Sequence, residues 1–238
     1  LPIEGDLANE QSAELFMSRV LDNPSFTNIT VASNTPINIG SSTSGGYSWE
    51  GKTDQNETLF NVLQVGEGFI ETLGMEMLEG RTFDPNLVSD TLNVIINEQT
   101  AKAMNVEDPL NYPVTFWGRT GKVIGIVKDF HFSSLHQNID PIVISLRPEN
   151  ANYFIAKMNG NTEAGIGYLE DLTKELNPNY PFTYRFLDET YENLYRGETT
   201  IGLLANYFSG IAIFISLLGL FGLASFAAEQ RKLALEKS

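Results

Sequence analysis

Residues 199–228 read TTIGLLANYFSGIAIFISLLGLFGLASFAA, thirty consecutive positions without a charged side chain. Between Gly210 and Ala228 only Ser216 and Ser225 are polar. A helix needs about 20 mostly apolar residues to cross the hydrocarbon core of a bilayer. The stretch meets that length, and Arg231 and Lys232 follow it. A basic flank marks the cytoplasmic end of a span. Residues 199–228 therefore read as a transmembrane helix, and residues 229–238 as a cytoplasmic or vector-derived tail. The competing reading is a buried core helix of a soluble protein, which is also apolar all round. Gly219, Gly222 and Ser225 recur every three residues, a spacing of small side chains against which another helix can pack closely.

The remainder of the chain has the opposite character. The 238 residues carry a formal net charge of −15. Before Thr199 there are 12 basic and 28 acidic residues. Nucleic-acid binding depends on Lys and Arg neutralising phosphates, so nucleic acid is excluded as a partner. Such a surface is also repelled by anionic lipid. With no cysteine in the sequence, a disulfide framework, a thiolate zinc site and a cysteine nucleophile are excluded. The chain opens at Leu1 without a Met or a signal-peptide pattern. It is expected to be a fragment of a longer protein with a membrane segment ahead of it.

Along the chain, Glu10–Leu21 has helical spacing of apolar residues, with Leu15, Phe16, Val20 and Leu21 near one face. Thr27–Ala32 and Leu59–Val65 read as strands. The Gly-, Ser-, Thr- and Asn-rich segment Thr35–Tyr47 between them reads as a mobile loop. Gly68–Leu73 reads as a short helix stopped by Gly74. Glu79-Gly80-Arg81 reads as a turn, and Asn93–Ile96 as a short strand. Asn97 is placed to cap a helix over Glu98–Met104. Pro113–Trp117 and Lys122–Lys128 form a hairpin signal around Gly118–Gly121. Further strands are expected at Ile142–Leu146, Tyr153–Met158 and Phe182–Phe186, with an amphipathic helix over Glu163–Leu176. A polar helix starting at Asp188 is expected to run on into the membrane span. Helices mixed with short strands and hairpins favour an α+β fold. The expected layout has two lobes: residues 1–66 and 139–198 as one α+β lobe, with 67–138 inserted as the second.

Motifs that carry chemistry are largely missing. There is no GxxxxGK[ST] phosphate loop, no GxGxxG after a strand and no HExxH. The two histidines, His131 and His136, lie in the run Asp129–His136. Asp129, His131 and Ser133 are residue types used in nucleophilic and metal chemistry. Their spacing matches no particular mechanism, since a triad is defined by geometry rather than by sequence neighbourhood. A structural loop pinned by Phe130, Phe132 and Leu135 is the plainer reading. No catalytic, cofactor-binding or metal residue is assigned, no cofactor is expected, and the chain is read as a non-enzyme. Asn28-Ile29-Thr30 and Asn56-Glu57-Thr58 match a glycosylation pattern that is common by chance. Tyr191, Tyr195 and Tyr207 are candidates for an interfacial aromatic belt or for packing at the base of the domain.

Five ordered stretches together resemble one family. They are GFIETLGMEMLEGRTF (Gly68–Phe83), NVIINEQTAKAM (Asn93–Met104), KVIGIVKDFHFSSLH (Lys122–His136), YRFLDETYENLYRGE (Tyr184–Glu198) and GLFGLASFAAEQR (Gly219–Arg231). The resemblance is to the FtsX-like ABC transporter permeases with a MacB-like periplasmic core domain, in the form abundant in Bacteroidetes. It covers nearly the whole chain and matches the second of two such periplasmic domains with the helix after it. The family continues into a basic cytoplasmic stretch, whereas this chain reads Lys232–Ser238, which fits a truncation.

The resemblance implies a porter-like lobe with an inserted second lobe, located in the periplasm and anchored in the bacterial inner membrane. It further implies a separate cytoplasmic ABC ATPase subunit, a second permease copy, and a periplasmic or outer-membrane partner. The function it implies is transport or mechanotransmission coupled to ATP hydrolysis by that subunit. The alternative from the residues themselves is a membrane-anchored extracytoplasmic ligand-binding sensor domain. A third class, a membrane-anchored hydrolase, would use Asp129, His131 and Ser133.

Overall fold

Adjacent residues in the chain alternate between short strands and short helices, and a computed structural model places them in one mixed sheet. It describes residues 1–37, 39, 42–43, 46–52, 58–130 and 139–235, with the side chains of 190–204 and 227–235 left aside. In chain order the elements are α1 (Glu10–Leu21), β1 (Phe26–Ala32), β2 (Ser42–Thr43), β3 (Tyr47–Trp49) and β4 (Phe60–Val65). Then come α2 (Phe69–Leu73), β5 (Met77–Gly80), β6 (Val94–Asn97), α3 (Glu98–Met104), β7 (Pro113–Phe116) and β8 (Arg119–Val127). The last are β9 (Ile142–Leu146), β10 (Tyr153–Met158), α4 (Thr162–Leu176) and α5 (Leu187–Leu235).

The ten-stranded sheet has the order β10-β1-β4-β9-β6-β8-β7-β3, with β2 paired to β4 and β5 to β8. β4–β9 and β6–β8 are parallel. The other pairs are antiparallel. The fold is α+β with a single large sheet. Strands β10, β1, β4 and β9 come from the segments flanking residues 67–138, and β6, β8 and β7 come from within them. β3, at residues 47–49, sits beyond β7. Residues Leu1–Leu187 form one compact unit and Asp188–Ser238 a second.

Three apolar clusters hold the first unit. One lies around Leu63, Val65, Phe69, Ile95 and Ile144, and a second around Tyr47, Phe60, Ile96 and Val143. The third packs α1 and α4 on the β1–β10 end through Phe16, Val20, Phe154, Leu169 and Leu172. Phe16 and Phe154 meet with ring centroids 4.8 Å apart. Burying such side chains fully contributes about 1.5–3 kcal/mol each before entropy is counted.

Most expected elements stand where their periodicity puts them, and four differ. Phe182–Phe186 is not a strand. Its alternating rings pack on one another, Tyr184 lying 5.5 Å from both Phe182 and Phe186, while the backbone finds no sheet partner. Glu79-Gly80 ends strand β5 rather than forming a turn, because β8 supplies a pairing edge for it. The β7–β8 turn is tighter than expected: Trp117 and Gly118, at φ 39° and 78°, close it as a two-residue connection. The segment Thr35–Tyr47 is not wholly a loop. Ser42 and Thr43 pair with β4, and Ile37 is buried. Asn28 lies in β1 opposite Lys157. His131, Ser133, His136 and Asn56 lie outside the described residues, as do the side chains of Tyr191 and Tyr195.

The second unit is the C-terminal helix. α5 has 49 residues, about 70 Å at the ordinary rise per residue. Within it Ala205–Phe226 is a 22-residue stretch of mean hydropathy 2.1, none of it buried. It is long and apolar enough to cross a membrane, and its exposure all round departs from the buried core-helix alternative. Phe221, for example, is 73% exposed. The Ser216 hydroxyl donates to the Ala212 carbonyl at 2.8 Å, so its one strong donor is satisfied within the helix.

β6 passes directly into α3 with no loop between them, and Asn97 makes that possible. It is fully buried. Its Oδ1 accepts from the Thr100 N–H at 3.0 Å, the Thr100 hydroxyl at 2.9 Å and the Ile142 N–H at 3.0 Å. Its Nδ2 donates to the Asp140 carbonyl at 3.1 Å. Asn9 caps α1 in the ordinary way, accepting from the Gln11 N–H at the surface. Asn97→Ala is expected to cost about 3 kcal/mol, because it leaves buried donors unpaired, against about 1 kcal/mol or less for Asn9→Ala. Denaturant melts of the two variants check this; equal losses would contradict the role assigned to Asn97.

Candidate functional site

Asp129 follows β8 directly, and α3 claims its carboxylate. Its Oδ1 accepts from the Gln99 N–H at 3.1 Å and its Oδ2 from Gln99 Nε2 at 2.6 Å. The Asp129 N–H donates to Glu98 Oε2 at 3.0 Å. A carboxylate beside the first turn of a helix is favoured by the unpaired N–H groups there. Asp129 thus ties the exit of β8 to the start of α3, and the structure gives this member of the Asp129, His131 and Ser133 group a bracing role. Among the described residues no group of three or more His, Asp or Glu side chains gathers as a metal site.

A denser polar cluster lies around the Gly-Arg-x-Phe segment. Gly80 has φ 77°, and a side chain there would run into the Ile124 carbonyl and the backbone of Gly125. A side chain on Gly125 would in turn meet the Arg81 carbonyl. Two glycines therefore let β5 and β8 approach closely, and the Arg81 N–H donates to Ile124 at 3.0 Å. The Arg81 guanidinium then reaches Asp90 with two bonds, Nη1 to Oδ2 at 2.6 Å and Nη2 to Oδ1 at 2.8 Å. Asp90 is fully buried. It also accepts from the Asp84 N–H and from Asn93 Nδ2, both at 2.9 Å. Asn93 Oδ1 accepts from the Lys122 N–H at 3.1 Å, which carries the network onto β8. Phe83 completes the motif by packing into the first apolar cluster. The arrangement is a folded brace, and no reactive group in it is left open.

The Arg81 guanidinium, with the added N–H donors, holds the Asp90 carboxyl down at about 2. Sequence reading missed Asp90 and Asn93. The available signal was an acidic residue nine positions after Arg81, with Leu87, Val88 and Leu92 nearby.

Among the described residues a groove of about 310 Å³ opens on the face where β2, β4 and the β7–β8 turn approach one another. Its lining includes Ser33, Gln64, Trp117, Asn150 and Asn152, with no charged side chain among the described residues. Asn152 Nδ2 donates to the Ser33 carbonyl at 2.8 Å, and the Ser33 hydroxyl accepts from the Gln64 N–H at 3.1 Å. These bonds fix one wall. Trp117 stands at the rim and is 60% exposed.

Asp90 has a folded-state pKa below its unfolded value of about 3.9. Its ionised form therefore stabilises the fold above about pH 4, and that contribution is lost as pH falls toward 2. Asp90→Asn should flatten this part of the stability-versus-pH curve, and Arg81→Ala should cost about 3 kcal/mol at neutral pH by stranding a buried carboxylate. Denaturation midpoints across that pH range check both; an unchanged acid limb in Asp90→Asn would contradict the assignment.

No family model matches the chain. Over 201 residues it is 27% identical to the macrolide export ATP-binding/permease protein MacB of Neisseria meningitidis, a match covering 79% of this chain and 30% of that protein. Over 100 residues it is 33% identical to MacB of Neisseria gonorrhoeae, covering 41% of this chain and 14% of that protein. The chain thus spans about 30% of the length of the first of these curated relatives. The crystal structure of the periplasmic region of MacB from Actinobacillus actinomycetemcomitans matches with a TM-score of 0.54 at 19% identity, over 76% of this chain and 81% of that one. That likeness is one of fold. Residues before the C-terminal helix thus share a fold with the periplasmic region of that MacB and sequence similarity with MacB proteins, and they are followed by a helix long and apolar enough to span a membrane.

Proposed function

We propose that this chain is the second periplasmic domain of an ABC transporter permease, together with the transmembrane helix that follows it. In this reading the protein sits in a bacterial inner membrane, with the bulk of this chain in the periplasm. Arg231 and Lys232 then lie on the cytoplasmic side, as the basic-flank rule requires. A separate cytoplasmic ABC ATPase hydrolyses ATP, and a second permease copy completes the membrane part. Residues 67–138 act as the inserted lobe, and 1–66 with 139–198 as the porter-like lobe. The domain does no chemistry of its own. It passes movement between membrane and periplasm, for transport or for signalling to an envelope partner.

The observation that carries this reading is the continuity of α5. Leu187 ends the sheet-bearing unit and opens a 49-residue helix that contains the apolar stretch. A helix transmits axial and rotational displacement because each residue is fixed by its i to i−4 hydrogen bond. The similarity to MacB supports the same role, and so does the structural use made of Asp129, Arg81 and Asp90.

Purifying the full-length native protein in mild detergent is expected to bring a stoichiometric ABC ATPase with it. Purification alone would instead favour the anchored sensor. A Gly-Ser insertion at Gly197 is expected to leave ATP hydrolysis by the complex in place while its periplasmic output falls to the level of an ATPase-dead strain. Undiminished output would overturn the transmission role of α5.

A further inference from the structure

Trp117 is a costly residue for its position. A two-residue hairpin turn with positive φ at both central residues favours Asn, Asp or Gly. Trp117 takes φ 39° there and remains 60% exposed. A strained backbone carrying a large exposed ring is an outlier that asks for a use. Below the ring lies Tyr47, its centroid 5.8 Å away, and the Trp117 backbone N–H anchors the turn by donating to the Gly46 carbonyl at 3.0 Å. A side chain on Gly46 would meet Nε1, Cε2 and Cδ1 of the indole, so the ring can approach the backbone closely only because residue 46 is glycine. The ring is thereby fixed at the rim of the 310 Å³ groove.

The rest of the lining matches that platform. Gln64, Asn150 and Asn152 present amides, and Ser33 a hydroxyl. Each amide offers both donors and acceptors. Gln64 and Asn150 make no side-chain hydrogen bond among the described residues, whereas Asn152 and Ser33 are fixed by the bonds already described. Among the described residues no charged side chain lines the groove. An anion would find no counter-charge there, in a domain already strongly acidic, and a cation would find no carboxylate. An apolar ligand would strand the amides. A flat ring with neutral donors and acceptors around it suits a ligand having one apolar C–H face and a rim of hydroxyls and amides. The volume falls at the lower end of the range for small-molecule sites.

We propose that this groove binds a neutral saccharide, one sugar ring stacking on Trp117 while its hydroxyl or acetamido groups bond to Gln64, Asn150 and Asn152. The site would let the domain register neutral glycan at the cell envelope. Binding to purified protein does not depend on an ATPase partner, so the outcome is separable from that of the permease reading.

The test is calorimetric titration of the whole chain, in a detergent without a sugar headgroup, with an N-acetylglucosamine tetramer and a glucose tetramer. An alanine tetrapeptide serves as a third probe. Binding of at least one saccharide is expected, at a Kd of about 1 mM or tighter, with little heat from the peptide. Trp117→Asn suits the positive φ of the turn, so it removes the ring without adding backbone strain. It is expected to weaken binding at least tenfold, and Asn150→Ala, at an exposed rim position, several-fold. Thermal melts of both variants should stay near that of the parent, which separates lost binding from lost folding. No saccharide binding by the parent overturns the proposal, as does tighter binding of the peptide. Undiminished binding in both variants overturns it as well.

Discussion

The buried amide of Asn97 is the bond on which the rest of the sheet depends. A strand that turns into a helix without a loop leaves the first helical N–H groups facing the interior, where water is not available to pair with them. Asn97 Oδ1 satisfies that need and also takes the Ile142 N–H, so one side chain joins β6, α3 and β9. β9 is the strand through which the β10-β1-β4 end of the sheet meets the β6-β8-β7 end. The Thr100 hydroxyl, whose one proton is shared between Asn97 Oδ1 at 2.9 Å and the Ile142 carbonyl at 2.8 Å, reinforces the same junction. The continuity of the sheet therefore passes through a polar knot as well as through apolar packing.

Arg81 and Asp90 play the corresponding part at the other end. Burying a carboxylate costs several kcal/mol, which is recovered only with good geometry and full hydrogen bonding. Asp90 has both: two bonds from Arg81, one backbone donor and one amide. The motif that made the sequence recognisable, Gly-Arg-x-Phe, is thus a packing device. Gly80 admits the neighbouring strand, Arg81 closes on Asp90, and Phe83 enters the core. The transmission role proposed above would draw on such bracing. Force applied to a loose sheet is absorbed locally, while a sheet tied through buried polar networks moves as a body.

How far the sequence could be read follows from the range of the interactions. α1, β9 and β10 lie at their expected residues because period and capping are local properties. The Asn97 cap was legible for the same reason, since it acts three residues along the chain. Phe182–Phe186 misled because alternation reports an extended chain with one apolar side, not whether a partner strand exists. β5 was hidden in what read as a turn, since its strand character comes from β8. Asp129 stood out by residue type alone, and only its contacts with Gln99 and Glu98 show the carboxylate engaged as a brace.

The sequence by itself determined the α+β class, the apolar helix, the acidic surface and the resemblance to one family. Each rests on composition, short-range period or ordered motifs, which need no folded context. The tertiary structure decided the strand order, the continuity of the sheet across the two expected segments, the pairing of Arg81 with Asp90 and the groove beneath Trp117. Those features join residues that are distant in sequence or set by how separate segments pack. The buried amide of Asn97 belongs to both lists: its bond to Thr100 follows from spacing, whereas its bond to Ile142 exists only once β9 lies against β6.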